Sequence, residues 1–282
     1  MARKSLKNSK PAASPLDKMQ ELLGPLVSEA SRAAIFLDLD GTLAPIVPRP
    51  ADVAVPPAVA RLVRKLQHNY LAVTVVSGRP ATEAKRIAGN SDLAYIGNHG
   101  FETMLPGRAV VLCQSAQPYV AKVRELVEYA RGLPEMIDSG IWLEDKNVTL
   151  SFHFRSASDQ GEALALIKDK FFAKIETLGL QVHEGRKVVE VRPPVNIDKG
   201  VAVGQLADRL GVKMMLYAGD DTTDIDAFKE LRKRKRRKGV IAVSVGVISE
   251  EMPPGLPRYA DLLVERVSGV ETMLQILAGE EL

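Results

Sequence analysis

The sequence has a single cysteine, Cys113. That excludes an internal disulfide and a cysteine-based metal cluster, and it fits a reducing, cytoplasmic setting. No apolar run approaches the roughly 18 residues of a membrane span. The basic N-terminus, MARKSLKNSKPAASPL, lacks an apolar h-region and so does not read as a secretory signal. Its Arg3, Lys4, Lys7 and Lys10 precede the first acid, Asp17, and suit a solvated tail or a short organelle-targeting segment. Neither sign of charge predominates. The formal net charge is +3, which points to neither nucleic acid nor a membrane surface as partner. There are no internal repeats. What is present, 282 residues with 46% hydrophobic and 26% charged content, is ordinary for a globular chain of one large or two modest domains.

Apolar runs at 33–39, 71–76 and 93–96 alternate with helical patterns at 58–67 and 81–88. The same grammar returns late, with a helix at 199–210, a strand at 214–217, a helix from 222, a strand at 240–245 and an amphipathic helix at 267–277. Alternation of this kind predicts an α/β fold with a parallel sheet covered on both faces. The middle differs. Long helical patterns at 119–131 and 162–178 flank GIWLEDKNVTLSFHFR, which reads as a hairpin turning near Asp145–Asn147. LQVHE and KVVEVRP form a second strand pair. Side chains alternate along a strand, so Val148, Leu150, Phe152 and Phe154 share one face and Thr149, Ser151, His153 and Arg155 the other. The expected division is a flexible tail at 1–25, a core from 26–106 and 195–282, and an inserted α+β module at 107–194. MLPG at 104–107 and Pro193-Pro194 are its expected hinges.

The chemistry concentrates at strand ends. In FLDLDGTLAPI (36–46), Asp38 and Asp40 close a buried strand, and residues two apart share a face, so two like charges aim into one crevice. Gly41 permits a sharp exit, and the Thr42 hydroxyl is a hydrogen-bond donor. A turn aspartate plus a helix cap would use the same letters. VTVVSGRP ends another strand with Ser77 and Arg79, a set that suits either an anion site or a plain serine cap. NIDKG puts Lys199 at a helix start, where the dipole disfavours a cation. YAGDDTTD places Asp220, Asp221 and Asp224 at a third strand end. Helix capping accounts for Asp221 and Asp224 but not for Asp220. Asp38, Asp40 and Asp220 together form an oxygen-ligand set for a hard cation, best Mg²⁺, and such an ion makes the like charges tolerable.

DLDGT, SGR, DKG and GDDTTD, in that order, resemble the four motifs of the haloacid-dehalogenase-like (HAD) phosphatase superfamily. IGNHGFE, LEDKNVTLSFHFR, VVEVRPPVNIDKG and YAGDDTTDIDAF resemble the signatures of trehalose-6-phosphate phosphatases. The likeness runs from about 33 to 246. It implies a Rossmann-like parallel-sheet core with the inserted module as a cap, and a Mg²⁺-dependent hydrolysis of trehalose 6-phosphate, the last step of trehalose biosynthesis, through an aspartyl-phosphate. It makes Asp38 the nucleophile and Asp40 the general acid and base. Asp38, the Asp40 carbonyl and Asp220 hold the metal, with Asp221 and Asp224 acting through waters. Ser77 and Lys199 hold phosphoryl oxygens, assisted by Arg79. On the cap, Glu144, Lys146, His153 and Arg155 match substrate-binding positions, with Lys187 and Glu190 as further candidates. Sucrose phosphate and glucosyl- or mannosylglycerate phosphate are the alternative substrates, differing only in what the cap reads. A sugar phosphate is thus the expected partner of a monomeric chain, with no nucleic acid and no membrane. His99 in IGNHG reads as a structural turn residue. RKRKRRK (232–238) departs from the pattern and suits a solvated helix end, with a polyanion-binding patch as the alternative.

Overall fold

The computed structural model describes residues 14–281 except 48, 50, 51, 186 and 251. Among the described residues two sheets form. The larger contains, in chain order, β1 (Ala33–Asp38), β2 (Ala72–Val76), β3 (Ala94–Gly97), β4 (Glu102–Met104), β5 (Val111–Leu112), β10 (Met214–Gly219), β11 (Ile241–Ile248) and β12 (Leu262–Glu265). Its spatial order is β12-β11-β10-β1-β2-β3-β4-β5. The first six in that order are parallel, as the alternating pattern predicts, while β4 and β5 add an antiparallel edge. β1 lies centrally, buried along its whole length because both of its faces are apolar.

Helices cover both faces. On one side lie α1 (Pro15–Ser28), α2 (Pro57–Asn69), α3 (Ala81–Ala88) and α8 (Arg266–Leu277); on the other lie α6 (Lys199–Leu210) and α7 (Asp224–Lys235). In α2 the burying residues are Val59, Leu62, Val63 and Leu66, the stripe expected for one helix face, each contributing about 1.5–3 kcal/mol. The opposite sheet face packs Phe36, Met215 and Tyr217 against Val203, Leu206 and Phe228.

The smaller sheet consists of β6 (Trp142–Asp145), β7 (Leu150–His153), β8 (Gln181–Gly185) and β9 (Val188–Arg192), antiparallel in the order β6-β7-β9-β8. Two helices, α4 (Val120–Arg131) and α5 (Gln160–Thr177), cover one of its faces. Leu150, Phe152, Val189 and Val191 pack there against Val127, Ile167 and Phe171. The alternation seen in the sequence is thus a buried face and a face left for other contacts.

Several expectations need correction. Of the tail expected over 1–25, residues 15–25 belong to α1 instead. Ser14 and Asp17 form a reciprocal capping box on α1, whose Met19, Leu23 and Leu26 are buried beneath the sheet. Gly24 and Pro25 fall inside this helix, and such residues ordinarily punctuate a helical pattern. Arg3, Lys4, Lys7 and Lys10 lie outside the described residues. The inserted module does not begin at 107, since β5 pairs with β4 in the larger sheet. MLPG is therefore the turn of that hairpin, with Gly107 at φ +65°, and not a hinge. Strands of two or three residues carry too little periodicity to be read from sequence.

Candidate active site

β1 and β10 are neighbours, and the chain leaves them in opposite lateral directions, so their carboxyl ends bound the crevice of a doubly wound sheet. Leu37 pairs with Ala218, which brings Asp38 and Asp220 to the same rim. Asp38 (4% exposed) and Asp220 (5%) are both buried. Gly41, at φ +85°, makes room for the second acid, because a Cβ there would fall 2.1 Å from Asp220 Oδ2.

Lys199 enters this crevice from the first turn of α6. Its Nζ donates to Asp38 Oδ1 at 2.6 Å and to Asp224 Oδ1 at 2.7 Å. Burial by itself would push the ammonium towards neutrality, but Asp224 and Asp38 outweigh it and the net shift is upward. These contacts repay the unfavourable dipole at the helix start. Burial, chiefly, and the nearby Asp224 raise the Asp38 carboxyl well above its usual range, against the pull of Lys199. The same two causes push Asp220 up to about 8.

Asp224 is an organiser. Its Oδ1 also accepts from the buried Tyr217 hydroxyl at 2.6 Å, and its Oδ2 accepts the backbone N–H groups of Asp220 and Asp221, each at 2.9 Å. Asp221 is exposed and does not cap α7; that position belongs to Thr223, without a side-chain cap. The expected order is reversed, and the first acid of the helix ties down the loop before it.

Asp40 is gripped in bidentate fashion by Arg79, Nε to Oδ2 at 2.8 Å and Nη2 to Oδ1 at 2.9 Å, and Arg79 also bonds Glu83. Ser77 is buried and is not the cap of α3. Its Oγ accepts from the Arg79 N–H at 3.1 Å, which fixes the loop that carries the guanidinium.

The smaller sheet turns its uncovered face to this rim. Asn98 and His99 follow β3 in consecutive left-handed conformations, φ +48° and +56°, and both point across. Asn98 Nδ2 donates to the Lys146 carbonyl at 3.1 Å and to Glu102 at 2.8 Å. Glu102 in turn accepts the Ala81 N–H at the start of α3. His99 Nε2 lies 3.3 Å from Glu190 Oε2, and Gly78 leaves space for its ring. Lys146 Nζ donates to the Gly78 carbonyl at 3.2 Å and lies 3.4 Å from Glu190 and 3.5 Å from Glu144. His153 Nε2 meets Glu144 at 2.8 Å, and Arg192 bonds Glu190. Burial alone would raise the carboxyls of Glu144 and Glu190, but these basic partners prevail and both are lowered.

Glu144, Lys146, His153 and Glu190 therefore form one cluster. Lys187 is not brought into it. Arg155 is exposed beyond β7, and Lys187 occupies the β8–β9 turn at φ +60°, at the strand ends remote from the hairpin tip. Asn98, His99, Tyr217 and Arg192 escaped the sequence reading as site residues. The one available signal was the run IGNHGFE, in which two polar residues precede a glycine.

Could the three acids hold a cation? Ligand oxygens of Asp38, Asp220 and Asp224 lie within 4.8 Å of one another, and Asp220 Oδ1 is buried without a hydrogen-bond partner. Raised carboxyls together with an orphaned acceptor describe a site short of positive charge, so the residues fit a metal ion.

Residues 36–253 match the sequence model of the trehalose-phosphatase family. The chain belongs to that family. A rice protein (Oryza sativa subsp. japonica) named probable trehalose-phosphate phosphatase 4 is 34% identical over 245 residues, 81% of this chain and 63% of its own. The Arabidopsis thaliana probable trehalose-phosphate phosphatase H is 33% identical over 254 residues, 81% of this chain and 68% of its own. The chain thus spans about two thirds of the length of these relatives. In fold it resembles the C-terminal domain of the C. albicans trehalose-6-phosphate phosphatase, with a TM-score of 0.71 at 24% identity, covering 92% of this chain and 97% of that one. The family is of HAD type, with an α/β core and a cap. No helix among the described residues is long and apolar enough to cross a membrane.

Proposed function

We propose that this trehalose-phosphatase family member hydrolyses trehalose 6-phosphate to trehalose and inorganic phosphate, the last step in making trehalose. The observation that carries this reading is the convergence of Asp38, Asp220 and Lys199 at one rim, with the Asp40–Arg79 pair beside them. In this reading Asp38 attacks phosphorus in line with the sugar oxygen. The P–O bond breaks, Asp40 gives its proton to the departing oxygen, and an aspartyl-phosphate remains. Asp40 then takes a proton from water as that water attacks phosphorus, and inorganic phosphate leaves with Asp38 restored. Proton transfer of this kind is worth roughly 10²–10⁴-fold. Lys199 and Ser77 hold the phosphoryl oxygens as negative charge moves.

Mg²⁺ is the cation we assign, held by Asp38, the Asp40 carbonyl and Asp220, with Asp221 and Asp224 behind them. It would supply positive charge to the phosphoryl oxygens. Both Asp40 oxygens accept from Arg79, so Asp40 must leave that grip before it can reach the departing oxygen. A substrate phosphate is a natural competitor for the guanidinium. Residues 114–194 act as a cap, and Glu144, Lys146, His153 and Glu190 read the sugar hydroxyls. A cytoplasmic monomer is part of the same reading.

A panel of phosphate esters tests it: trehalose 6-phosphate, sucrose phosphate, and glucosyl- and mannosylglycerate phosphates, each with and without Mg²⁺. Trehalose 6-phosphate should rank first by kcat/KM, and Asp38→Asn should abolish phosphate release. Another ester in first place would displace the substrate assignment. Undiminished turnover by the variant would displace the nucleophile.

A further inference from the structure

The chain's only tryptophan, Trp142, opens β6, the edge strand of the smaller sheet, and is 51% exposed. Its alternation places it with Glu144, while Leu143 between them faces the helices. Directly across the ladder stand His153 opposite Trp142 and Ser151 opposite Glu144, with Glu190 next to Ser151 on β9. Trp142 therefore shares the uncovered face with the sugar-reading cluster. It is also braced. The indole lies against the His153 ring, centroids 4.8 Å apart and planes tilted by 32°, and His153 is pinned by Glu144.

The row Lys146, Glu144, Trp142 runs outward along the strand. Lys146 touches the Gly78 carbonyl beside the phosphoryl site. At about 3.4 Å per residue, Trp142 stands roughly 13 Å farther out. The polar groups that take hydroxyls are thus near the crevice, and a flat aromatic surface lies at the far end. A pyranose ring has hydroxyls on its rim and an apolar C–H face. The negative π-face of an indole complements those C–H groups, and a few fixed polar groups beside an aromatic wall are the usual make-up of a specific pocket.

We propose that Trp142 is the stacking platform for the sugar ring farther from the phosphate, and so sets the preference for a disaccharide over a single hexose. This rests on the reading of the crevice as a sugar-phosphate site, and its test separates the two. A single tryptophan makes the emission spectrum a direct reporter. The Asp38→Asn chain, in which turnover should be abolished, is titrated with trehalose 6-phosphate, glucose 6-phosphate and inorganic phosphate. Saturable change with the first, weak change with the second and none with the third is the expected result. In the otherwise native chain, Trp142→Ala should lower the ratio of kcat/KM for trehalose 6-phosphate to that for p-nitrophenyl phosphate by roughly 10-fold, through KM, and Trp142→Phe should restore most of it. Turnover of trehalose 6-phosphate by the native chain with an emission that does not respond, or an unaltered ratio in Trp142→Ala, overturns the platform alone. Absence of turnover by the native chain overturns the parent reading, while the emission titration still decides the platform.

Discussion

His99 Nε2 lies 3.3 Å from Glu190 Oε2, a contact that joins the loop after β3 to the uncovered face of β9. Burial, more than the attraction of Glu190, sets the imidazole's behaviour and lowers its pKa from the ordinary 6.5 to about 4. The histidine is neutral in the folded protein at pH 7. Its contribution to stability is complete above 6.5 and is lost as pH falls towards 4, because the unfolded chain takes up the proton first. The loss amounts to about 3 kcal/mol over that interval. His99→Gln, measured by urea unfolding at several pH values, should flatten the slope between pH 6.5 and 4.5, above the range in which Glu190 begins to protonate. An unchanged slope would place the acid sensitivity elsewhere.

Gly41→Ala should damage both stability and metal dependence. The added Cβ meets the Asp220 carboxylate, and φ +85° strains any side chain. A loss of roughly 2 kcal/mol or more in chemical denaturation is expected, with a rise in the Mg²⁺ needed for half-maximal phosphate release. A variant with native stability and native metal response would contradict the packing described for Asp220.

Arg79→Ala frees Asp40 from its bidentate partner. kcat for trehalose 6-phosphate should fall roughly 10- to 100-fold. Arg79→Lys should recover only part, since an ammonium keeps the charge but not the fork. Equal activity of the two variants would show that charge alone matters at this position.

The basic run at 232–238 divides by burial. Arg234 is 4% exposed and bonds Glu230 at 2.8 Å, Asp208 at 2.7 Å and the Gly204 carbonyl at 2.7 Å. Arg234→Ala should cost roughly 1–3 kcal/mol, whereas Arg236→Ala, on the exposed end, should change stability by roughly 0.5 kcal/mol or less. Thermal unfolding of the two variants decides. Equal effects would mean that the run is solvated throughout.

The strands of the larger sheet that bear the acids were legible because buried parallel strands are continuous apolar runs, which Asp38 and Asp220 bring to an end, while Lys199 stood out as a cation at a helix start. The hairpin at 142–153 was legible from strict alternation. What could not be read was set by tertiary contact. Helix α1 hides behind Gly24 and Pro25, and β4 and β5 are too short to show a period. Asn98 and His99 gain their meaning only when the second sheet comes to rest against them. Asp224 reads as an ordinary acid of a first helical turn until Lys199 and Tyr217 arrive from elsewhere.

The central position of β1 has a consequence for synthesis. Its neighbour β10 starts at Met214, so a nascent chain on the ribosome carries Asp38 long before Lys199 and Asp220 have emerged. During that interval one edge of a strand that is apolar from Ala33 to Leu37 stays open, the kind of surface that chaperones engage and that mispairs between molecules. Chains terminated before β10 should therefore be silent as enzymes and prone to aggregate.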